Sequence, residues 1–202
     1  MNIGIFGGTF DPVHHGHLIL AERCRADAGL DEVWFLPSYK PPHKVGRPIT
    51  RFEHRCDMIA LATTGQPLFR VEAIEKELPP PSFTANTLAE LRVRHPEHAF
   101  HLIVGADCLP DLAQWHEPRR VLEQASLVVV PRPGTPLWTR EQLAASLGMP
   151  PADVRLTVVE CPLMEISSRD IRTRVAAAQT IRFLLPRSVE EFIRERKLYA
   201  HE

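Results

Sequence analysis

The sequence predicts an α/β fold built on a doubly wound, mostly parallel sheet with helices on both faces and a helical C-terminal end. Short apolar runs alternate with amphipathic helical stretches along the chain, which is the order found in βαβ units. The apolar runs lack the polar alternation of half-exposed strands, so both faces of the sheet are expected to be covered. The 202 residues contain no Ser/Gly-rich linker, and we therefore predict one Rossmann-like domain over residues 1–202, with a helical cap over roughly 166–202.

Six apolar runs predict the strands of this sheet. In a doubly wound sheet the ligand binds outside the carboxyl ends of the strands, near the switch in strand order, so functional motifs are expected to follow strands. The predicted strands cover residues 3–6, 33–36, 69–71, 100–104, 127–130 and 156–159.

Amphipathic stretches between and after these runs predict seven helices. Thr50 followed by Glu53 has the spacing of a capping box, and Asn86 is the expected N-cap of the third helix. Gly148, followed by two prolines, is expected to close the fifth helix. The predicted helices cover residues 18–28, 50–62, 87–94, 118–124, 140–147, 168–178 and 189–197.

The charge balance and the cysteine usage exclude several classes of protein. Lys and Arg number 24 and Asp and Glu number 25, so the formal net charge of -1 provides no global positive field for nucleic acid. The four cysteines show no CxxC pair and no metal-ligand spacing, and we expect reduced, mostly buried thiols. Neither a signal-peptide pattern nor a run of about 20 apolar residues is present, so a soluble cytoplasmic protein without a membrane partner is expected.

The first predicted strand runs into the segment GGTFDPVHHGHL at residues 7–18. Its leading glycines allow the backbone to approach a ligand closely. His14 and His17 are three residues apart, and both imidazoles would lie on one side of the first turn of a helix that starts there. Two imidazoles beside the N–H groups of a helix N-terminus suit a phosphate, although HxGH alone also fits a metal site or a plain helix cap. The GxGxxG pattern of NAD-binding folds is absent from the sequence.

A second segment with phosphate-binding chemistry, ISSRDIR, covers residues 166–172. Ser167 and Ser168 are cap-type residues before a helix, so their hydroxyls and the following N–H groups suit phosphate oxygens. Arg172 lies one turn further on the same face and offers a planar fork to a phosphate. An ordinary Ser-capped surface helix is the competing interpretation.

These two segments resemble the (H/T)xGH and ISSxxIR signatures of the nucleotidylyltransferase superfamily. Further segments are similar to those of the bacterial nicotinate-nucleotide adenylyltransferase family in particular. They are PPHK at 41–44, SFTANTL at 82–88, GAD at 105–107 followed by Leu112 and Trp115, RPG at 132–134 and LY at 198–199. The resemblance spans nearly the whole chain and implies a single nucleotidyltransferase domain.

The resemblance implies that the protein transfers the adenylyl group of ATP to nicotinate mononucleotide, giving nicotinate adenine dinucleotide and pyrophosphate in NAD biosynthesis. Mg²⁺ would arrive with the ATP phosphates, and no protein ligand is assigned to it. The implied catalytic residues are His14, His17, Lys44 and Arg172. The implied ATP-binding residues are Gly8, Thr9, Phe10, His17, Gly105, Asp107, Ile166, Ser167, Ser168 and Arg172. The implied nicotinate mononucleotide-binding residues are Tyr39, His43, Lys44, Thr84, Trp115, His116 and Arg132.

Four positions depart from the family pattern, and alternative functions stay open. Asn86 stands where the family usually has Asp, Arg169 where it usually has Thr, and Ala178 where Gly is common. Tyr39 stands where the family often has Asn, at a position implied to contact the pyridine nucleotide. The nearest alternative is a related adenylyltransferase that acts on nicotinamide mononucleotide or on phosphopantetheine. A non-catalytic nucleotide-binding module is another alternative, and a homo-oligomer is compatible with each of these.

Overall fold

The sheet has six parallel strands in the computed structural model, which describes residues 1–41, 48–162 and 164–200. The strands are β1 (Asn2–Gly8), β2 (Glu32–Pro37), β3 (Phe69–Val71), β4 (Ala99–Gly105), β5 (Ala125–Val130) and β6 (Leu156–Val158). Their spatial order is β3-β2-β1-β4-β5-β6. The order switches between β1 and β4, which is where a doubly wound sheet binds its ligand, and the predicted fold class is confirmed.

Seven α-helices lie within the described residues and connect or cover the strands. They are α1 (His15–Asp27), α2 (Phe52–Thr63), α3 (Thr84–Arg94), α4 (Pro118–Gln124), α5 (Arg140–Leu147), α6 (Ser168–Ala176) and α7 (Arg187–Glu195). None of these helices is long and apolar enough to cross a membrane.

Both faces of the sheet are buried, as the unbroken apolar runs predict. On one face, buried side chains of α3, α4 and α5 pack against strand residues such as Ile5 and Leu102. On the other face, α1, α2, α6 and α7 pack against strand residues such as Phe35 and Val128. The helical C-terminal end is therefore part of the layer that also contains α1, and this brings α6 next to the turn that follows β1.

The predicted N-cap of α3 is wrong. The helix begins at Thr84 with Phe83 as its N-cap, so Asn86 is the third residue of the helix. The Phe83 carbonyl accepts the main-chain N–H of Asn86 at 3.0 Å and that of Thr87 at 3.1 Å. The first turn therefore closes three residues earlier than the cap-type side chain of Asn86 suggests.

The predicted capping box at the start of α2 is also wrong. The N-cap is Arg51, which makes no capping hydrogen bond with its side chain. The main-chain N–H of Thr50 instead donates to Asp11 Oδ2 at 3.2 Å. A tertiary contact thus determines how the chain enters this helix, and local spacing in the sequence does not reveal it.

Ala178 follows α6 with a φ of 53°, in the left-handed region. Its main-chain N–H donates to the Val175 carbonyl at 3.0 Å, and the next N–H, of Gln179, donates to Arg174 at 2.8 Å. Glycine enters this region at lower cost than alanine because it has no Cβ. The turn explains why glycine suits a position that is alanine in this chain.

Candidate active site

The turn between β1 and α1 lies at the switch point of the sheet. Gly8 ends β1, and His14 is the extended N-cap of α1. Between them, Phe10 turns into the core, where its ring centroid lies 5.4 Å from that of Phe6. A Cβ at Gly8 would lie 2.9 Å from the Phe10 ring, so this close approach requires glycine. The helix α1 begins at His15, three residues before the predicted start at Leu18, so the HxGH motif lies at its N-terminus.

His14 and His17 stack on each other at the N-terminus of α1, with ring centroids 3.7 Å apart and ring planes inclined by 27°. The main-chain N–H of His14 donates to His17 Nδ1 at 3.2 Å. A neutral His17 that accepts at Nδ1 carries its proton on Nε2, which is the donor it can present to a ligand. His14 Nδ1 is buried and has no hydrogen-bond partner among the described residues.

Both imidazoles are neutral near pH 7 in the absence of a ligand. Burial, with a smaller contribution from repulsion by His15, lowers the pKa of His14 to about 4. Burial, followed by repulsion from His14 and from Arg132, lowers the pKa of His17 well below its usual range. A bound phosphate would oppose these effects, because a nearby anion favours the charged form of an imidazole. The pair is thus a neutral donor site that can gain positive charge when an anion binds.

The N-terminus of α6 is tied directly to the β1–α1 turn. Ser168 Oγ donates to the Pro12 carbonyl at 2.8 Å, and the Arg172 guanidinium donates to the Asp11 carbonyl at 2.7 Å. Ser167 is the N-cap, and its Oγ accepts a main-chain N–H at 3.1 Å. A guanidinium has five N–H donors, so the contact of Arg172 with this carbonyl is compatible with a phosphate contact. The two segments are 156 residues apart at the contact between Ser168 and Pro12, and these hydrogen bonds join them into a single site.

A cavity of about 570 Å³ opens between α1, the end of β5 and the segment that leads into α6. Six predicted site residues line it: His14, His17, Arg132, Ile166, Ser167 and Ser168. A Cβ at Gly16, on the same wall, would lie 3.0 Å from His14 Nδ1, so a larger residue there would displace this imidazole. The lining that the structure describes does not include the other predicted ATP-binding residues, which are Gly8, Thr9, Phe10, Gly105, Asp107 and Arg172.

Asp107 and Arg132 form an ion pair across the ends of β4 and β5. Arg132 Nε lies 3.3 Å from Asp107 Oδ1, and both side chains are about half exposed. A Cβ at Gly105 would collide with the Asp107 carboxylate and approach Arg132 Nε to 3.0 Å, so glycine leaves room for the pair. Arg132 also lies on the cavity that contains His17, among residues predicted for ATP, although the family resemblance implies a contact with the mononucleotide.

The other described residues predicted for the mononucleotide lie on the segments that follow β2 and β4 and at the start of α3. Tyr39 follows β2, and Thr84 is the first residue of α3. The exposed His116 stacks on Phe83, with ring centroids 4.2 Å apart and ring planes inclined by 23°. Trp115 is half-buried and packs against the core, so part of its surface has a structural role. Phe83, inside the SFTANTL segment, was not predicted as a site residue, but its ring contacts the predicted residue His116.

Two predicted residues, His43 and Lys44, lie outside the described residues. Their roles with phosphate and mononucleotide stay predictions from the family resemblance. The described chain resumes at Pro48, just before α2.

A buried network beneath the turn was not predicted. Asp11 accepts the Tyr199 hydroxyl on Oδ1 at 2.7 Å and the Thr50 N–H on Oδ2 at 3.2 Å. Arg55, which is 1% exposed, donates to the main-chain oxygens of Thr50 at 2.9 Å and of Thr9 at 2.8 Å. These contacts connect the turn to α2 and to the C-terminal segment. The sequence features at its two ends are Arg55 on the mostly apolar α2 and the terminal LY, and neither by itself shows that these residues meet.

Outside this site, one cluster among the described residues has metal-ligand chemistry. It contains His95, Glu97 and His98, whose ligand atoms lie within 4.8 Å of one another. The two imidazoles are stacked, with ring planes 2° apart and ring centroids 5.6 Å apart. Both rings pack edge-on against Trp34, and we assign them to packing.

The four cysteines are free thiols, as predicted, but fewer of them are buried than expected. Cys24 is buried, and Cys56, Cys108 and Cys161 are half-buried. Burial raises the pKa of Cys24 to about 12 and that of Cys56 to about 11, and it also raises the pKa of the other two thiols. None of the four is therefore an activated nucleophile, since nucleophilic attack requires the thiolate.

Comparison with known sequences assigns this chain to a family. The Cytidylyltransferase-like family model matches residues 5–174. A "Probable nicotinate-nucleotide adenylyltransferase" from Thermomicrobium roseum is 44% identical over 197 residues, which cover 98% of this chain and 91% of the relative. A relative of the same name from Exiguobacterium sibiricum is 41% identical over 200 residues, which cover 99% of this chain and 100% of the relative.

Comparison with solved structures agrees on the fold. A Plasmodium falciparum nicotinic acid mononucleotide adenylyltransferase complexed with NaAD has a TM-score of 0.78 at 19% identity, with 100% of this chain and 98% of that chain covered. The same enzyme complexed with APC has a TM-score of 0.74, also at 19% identity and with the same coverage. At this identity the likeness supports the fold alone.

Proposed function

Because the chain belongs to the cytidylyltransferase-like family and, within it, to the nicotinate-nucleotide adenylyltransferases, we propose that it transfers the adenylyl group of ATP to nicotinate mononucleotide. The products are nicotinate adenine dinucleotide and pyrophosphate, in NAD biosynthesis. The observation that carries this function is the neutral, stacked pair of His14 and His17, which lines a cavity of about 570 Å³ shared with the N-terminus of α6.

The chemistry requires positioning rather than a nucleophilic side chain. The 5′-phosphate of nicotinate mononucleotide is already ionised near pH 7, so it can attack the α-phosphorus of ATP without a general base. The attacking oxygen and the leaving pyrophosphate stand roughly in line in such a displacement. The protein therefore has to hold two anionic substrates in this geometry and stabilise the charge that develops between them.

His17 is the principal donor to the transferring group in this mechanism. Its Nε2–H is available because Nδ1 accepts the main-chain N–H of His14. Stacking on His14 and edge-on packing against Phe10, with ring centroids 5.0 Å apart, restrict how the imidazole can turn. His17 thus donates to the α-phosphate and the leaving pyrophosphate, and His14 supports it. A donor that is already oriented needs no reorganisation when charge develops.

The first turn of α6 holds the phosphates of ATP. Ser167 and Ser168 line the cavity, and the helix N-terminus directs main-chain N–H groups and the positive end of its dipole toward it. Ser168 Oγ already donates to a carbonyl of the β1–α1 turn, so it acts mainly by positioning the helix. Arg172 supplies a charged fork, and Lys44 is assigned to the same phosphates from the family resemblance. Backbone near Gly8, Thr9, Phe10 and Gly105, together with the Asp107 carboxylate, is assigned to the nucleoside.

The family implies a divalent metal ion that accompanies ATP, and we assign Mg²⁺. The described residues that line the cavity offer mainly donors, which are His17, Arg132 and the N–H groups of α6, and Glu165 is the one carboxylate among them. This chemistry fits an ion held by the triphosphate oxygens and by water. When bound, Mg²⁺ would neutralise phosphate charge.

The second substrate is assigned to the segments around Tyr39, Thr84, Trp115 and His116, with His43, Lys44 and Arg132 toward its phosphate. Trp115 offers a flat face for the cationic pyridine ring. The nicotinate carboxylate would accept hydrogen bonds at Thr84, the first residue of α3, where the helix dipole favours an anion. An amide in place of the carboxylate would lose this stabilisation, which favours nicotinate over nicotinamide mononucleotide. Neither nucleic acid nor a membrane takes part, and a homo-oligomer stays a prediction.

A panel of acceptors tests this function. Purified protein is mixed with ATP, Mg²⁺ and either nicotinate mononucleotide, nicotinamide mononucleotide or phosphopantetheine, and pyrophosphate and dinucleotide are measured. We expect one pyrophosphate per nicotinate adenine dinucleotide, at least about tenfold lower kcat/KM with the amide because a charge-assisted contact is lost, and no product with phosphopantetheine. Equal kcat/KM for the acid and the amide would contradict the assigned preference. No pyrophosphate with any acceptor would favour a non-catalytic nucleotide-binding module.

A further inference from the structure

Glu75 is a buried carboxylate to which the mechanism above gives no role. It lies in the short 3-10 helix Ile74–Lys76 that follows β3, and it is 5% exposed. Burying a carboxylate costs free energy unless hydrogen bonds compensate it, so its partners indicate why a charge is kept there.

Three donors converge on this carboxylate. The main-chain N–H of Tyr39 donates to Oε2 at 3.0 Å, and Thr87 Oγ donates to Oε1 at 3.2 Å. The Ser82 hydroxyl is also hydrogen-bonded to it, and the positive charge of Arg55 acts on it. Burial raises the pKa of Glu75, while these four contacts oppose that shift. Both carboxylate oxygens are thus used, each by a donor from a different part of the chain.

The partners of Glu75 belong to the two segments that flank the proposed mononucleotide site. Tyr39 and Lys40 follow β2, whereas Ser82 and Thr87 flank Thr84 at the start of α3. The segments also bond to each other, because the Lys40 N–H donates to Ser82 Oγ at 3.1 Å and the Ser82 N–H donates to the Lys40 carbonyl at 3.1 Å. Glu75 lies behind this contact and binds both sides of it.

We propose that Glu75 is a positioning residue for the second substrate, which fixes the loop after β2 against the N-terminus of α3 and thereby sets affinity and selectivity for the nicotinate carboxylate. The proposal rests on the proposed function. It requires an acceptor at Oε2, which faces the main-chain N–H of Tyr39, and a negative charge that strengthens the bonds from Tyr39, Thr87 and Ser82. Aspartate is one methylene shorter, and glutamine keeps an oxygen for the Tyr39 N–H but carries no charge.

Glu75→Gln tests the proposal, with Glu77→Gln as the matched control. Glu77 is two residues away on the surface, where it pairs with Arg94 at 2.9 Å. For Glu75→Gln we expect the KM for nicotinate mononucleotide to rise about tenfold or more, because a charge-assisted hydrogen bond is lost. The KM for ATP should stay within about threefold, since the ATP cavity contains no partner of Glu75 among its described lining residues. The ratio of kcat/KM for nicotinate mononucleotide to kcat/KM for nicotinamide mononucleotide should also fall. A loss of folded protein would not change this ratio.

A second pair of variants covers the case in which Glu75→Gln does not fold. Thr87→Val removes the hydroxyl that bonds Oε1, and Thr87→Ser keeps it. We expect the valine variant to raise the KM for nicotinate mononucleotide severalfold and to narrow the same preference, and the serine variant to stay within about twofold of the parent. An unchanged preference in both Glu75→Gln and Thr87→Val, or an equal rise in the KM of both substrates, would overturn the proposal. A parent protein that makes no dinucleotide would instead overturn the proposed function.

Discussion

Replacing His17 by alanine is expected to lower kcat by about 10²- to 10³-fold, the effect typical of removing one donor that stabilises transition-state charge. The imidazole is held by the main-chain N–H of His14 and by stacking at 3.7 Å, so its Nε2–H is oriented before the substrate arrives. The affinity for ATP should fall much less, because α6 and Arg172 still hold the phosphates. Single-turnover rates and equilibrium binding of ATP separate the two effects.

A histidine far from the site provides the control for this experiment. His98 packs against Trp34, outside the described lining of the cavity, and its replacement by glutamine should leave kcat within about threefold of the parent. If His17→Ala loses less than tenfold in kcat while the protein stays folded, His17 is not the donor to the transferring group.

Replacing Arg172 by alanine is expected to lower kcat/KM for ATP by about 10- to 10²-fold. Hydrogen bonds to charged groups contribute about 1.5–3 kcal/mol each, and every 1.4 kcal/mol corresponds to a factor of ten. The side chain also donates to the Asp11 carbonyl at 2.7 Å, so its removal loosens α6 from the β1–α1 turn. Arg172→Lys should recover only part of the activity, because an ammonium cannot bridge a carbonyl and a phosphate with a planar fork.

Arg174→Ala is the matched control on the same helix. Arg174 pairs with Asp170 at 2.9 Å on the surface, and an exposed pair of this kind contributes little to stability. Its kcat/KM for ATP should stay within about twofold of the parent. Equal losses for Arg172→Ala and Arg174→Ala would show that a general change in charge or stability, rather than the fork of Arg172, causes the effect.

Local patterns predicted the sheet and the position of the HxGH motif at a helix start after the first strand. Buried parallel strands appear in a sequence as unbroken apolar runs. A three-residue spacing places His14 and His17 on the same side of a helix that begins there. The predicted caps at Thr50 and Asn86 failed because the chain around them is shaped by contacts with distant residues. Thr50 bonds to Asp11, and the first turn of α3 is bonded to Glu75 through Thr87.

The long-range contacts that hold the site in place could not be predicted from residue spacing. Asp11 meets Tyr199, which is 188 residues away, and Arg172 meets the turn across 161 residues. Such contacts depend on the packing of whole helices on the sheet, and one sequence holds no periodic signal for them. The family resemblance assigns Ser168 and Arg172 to the ATP phosphates, whereas their bonds to the carbonyls of the β1–α1 turn emerge only from the three-dimensional structure.

The stereochemistry at the α-phosphorus tests direct transfer between the two substrates. The protein is given nicotinate mononucleotide and adenosine 5′-O-(1-thiotriphosphate) of one known configuration, and the configuration of the thio-substituted dinucleotide is determined. In-line attack by the mononucleotide phosphate on ATP held by His17, Arg172 and the N-terminus of α6 predicts inversion. Retention would require two displacements through an adenylyl group carried on a protein side chain, and it would contradict direct transfer from ATP to the mononucleotide.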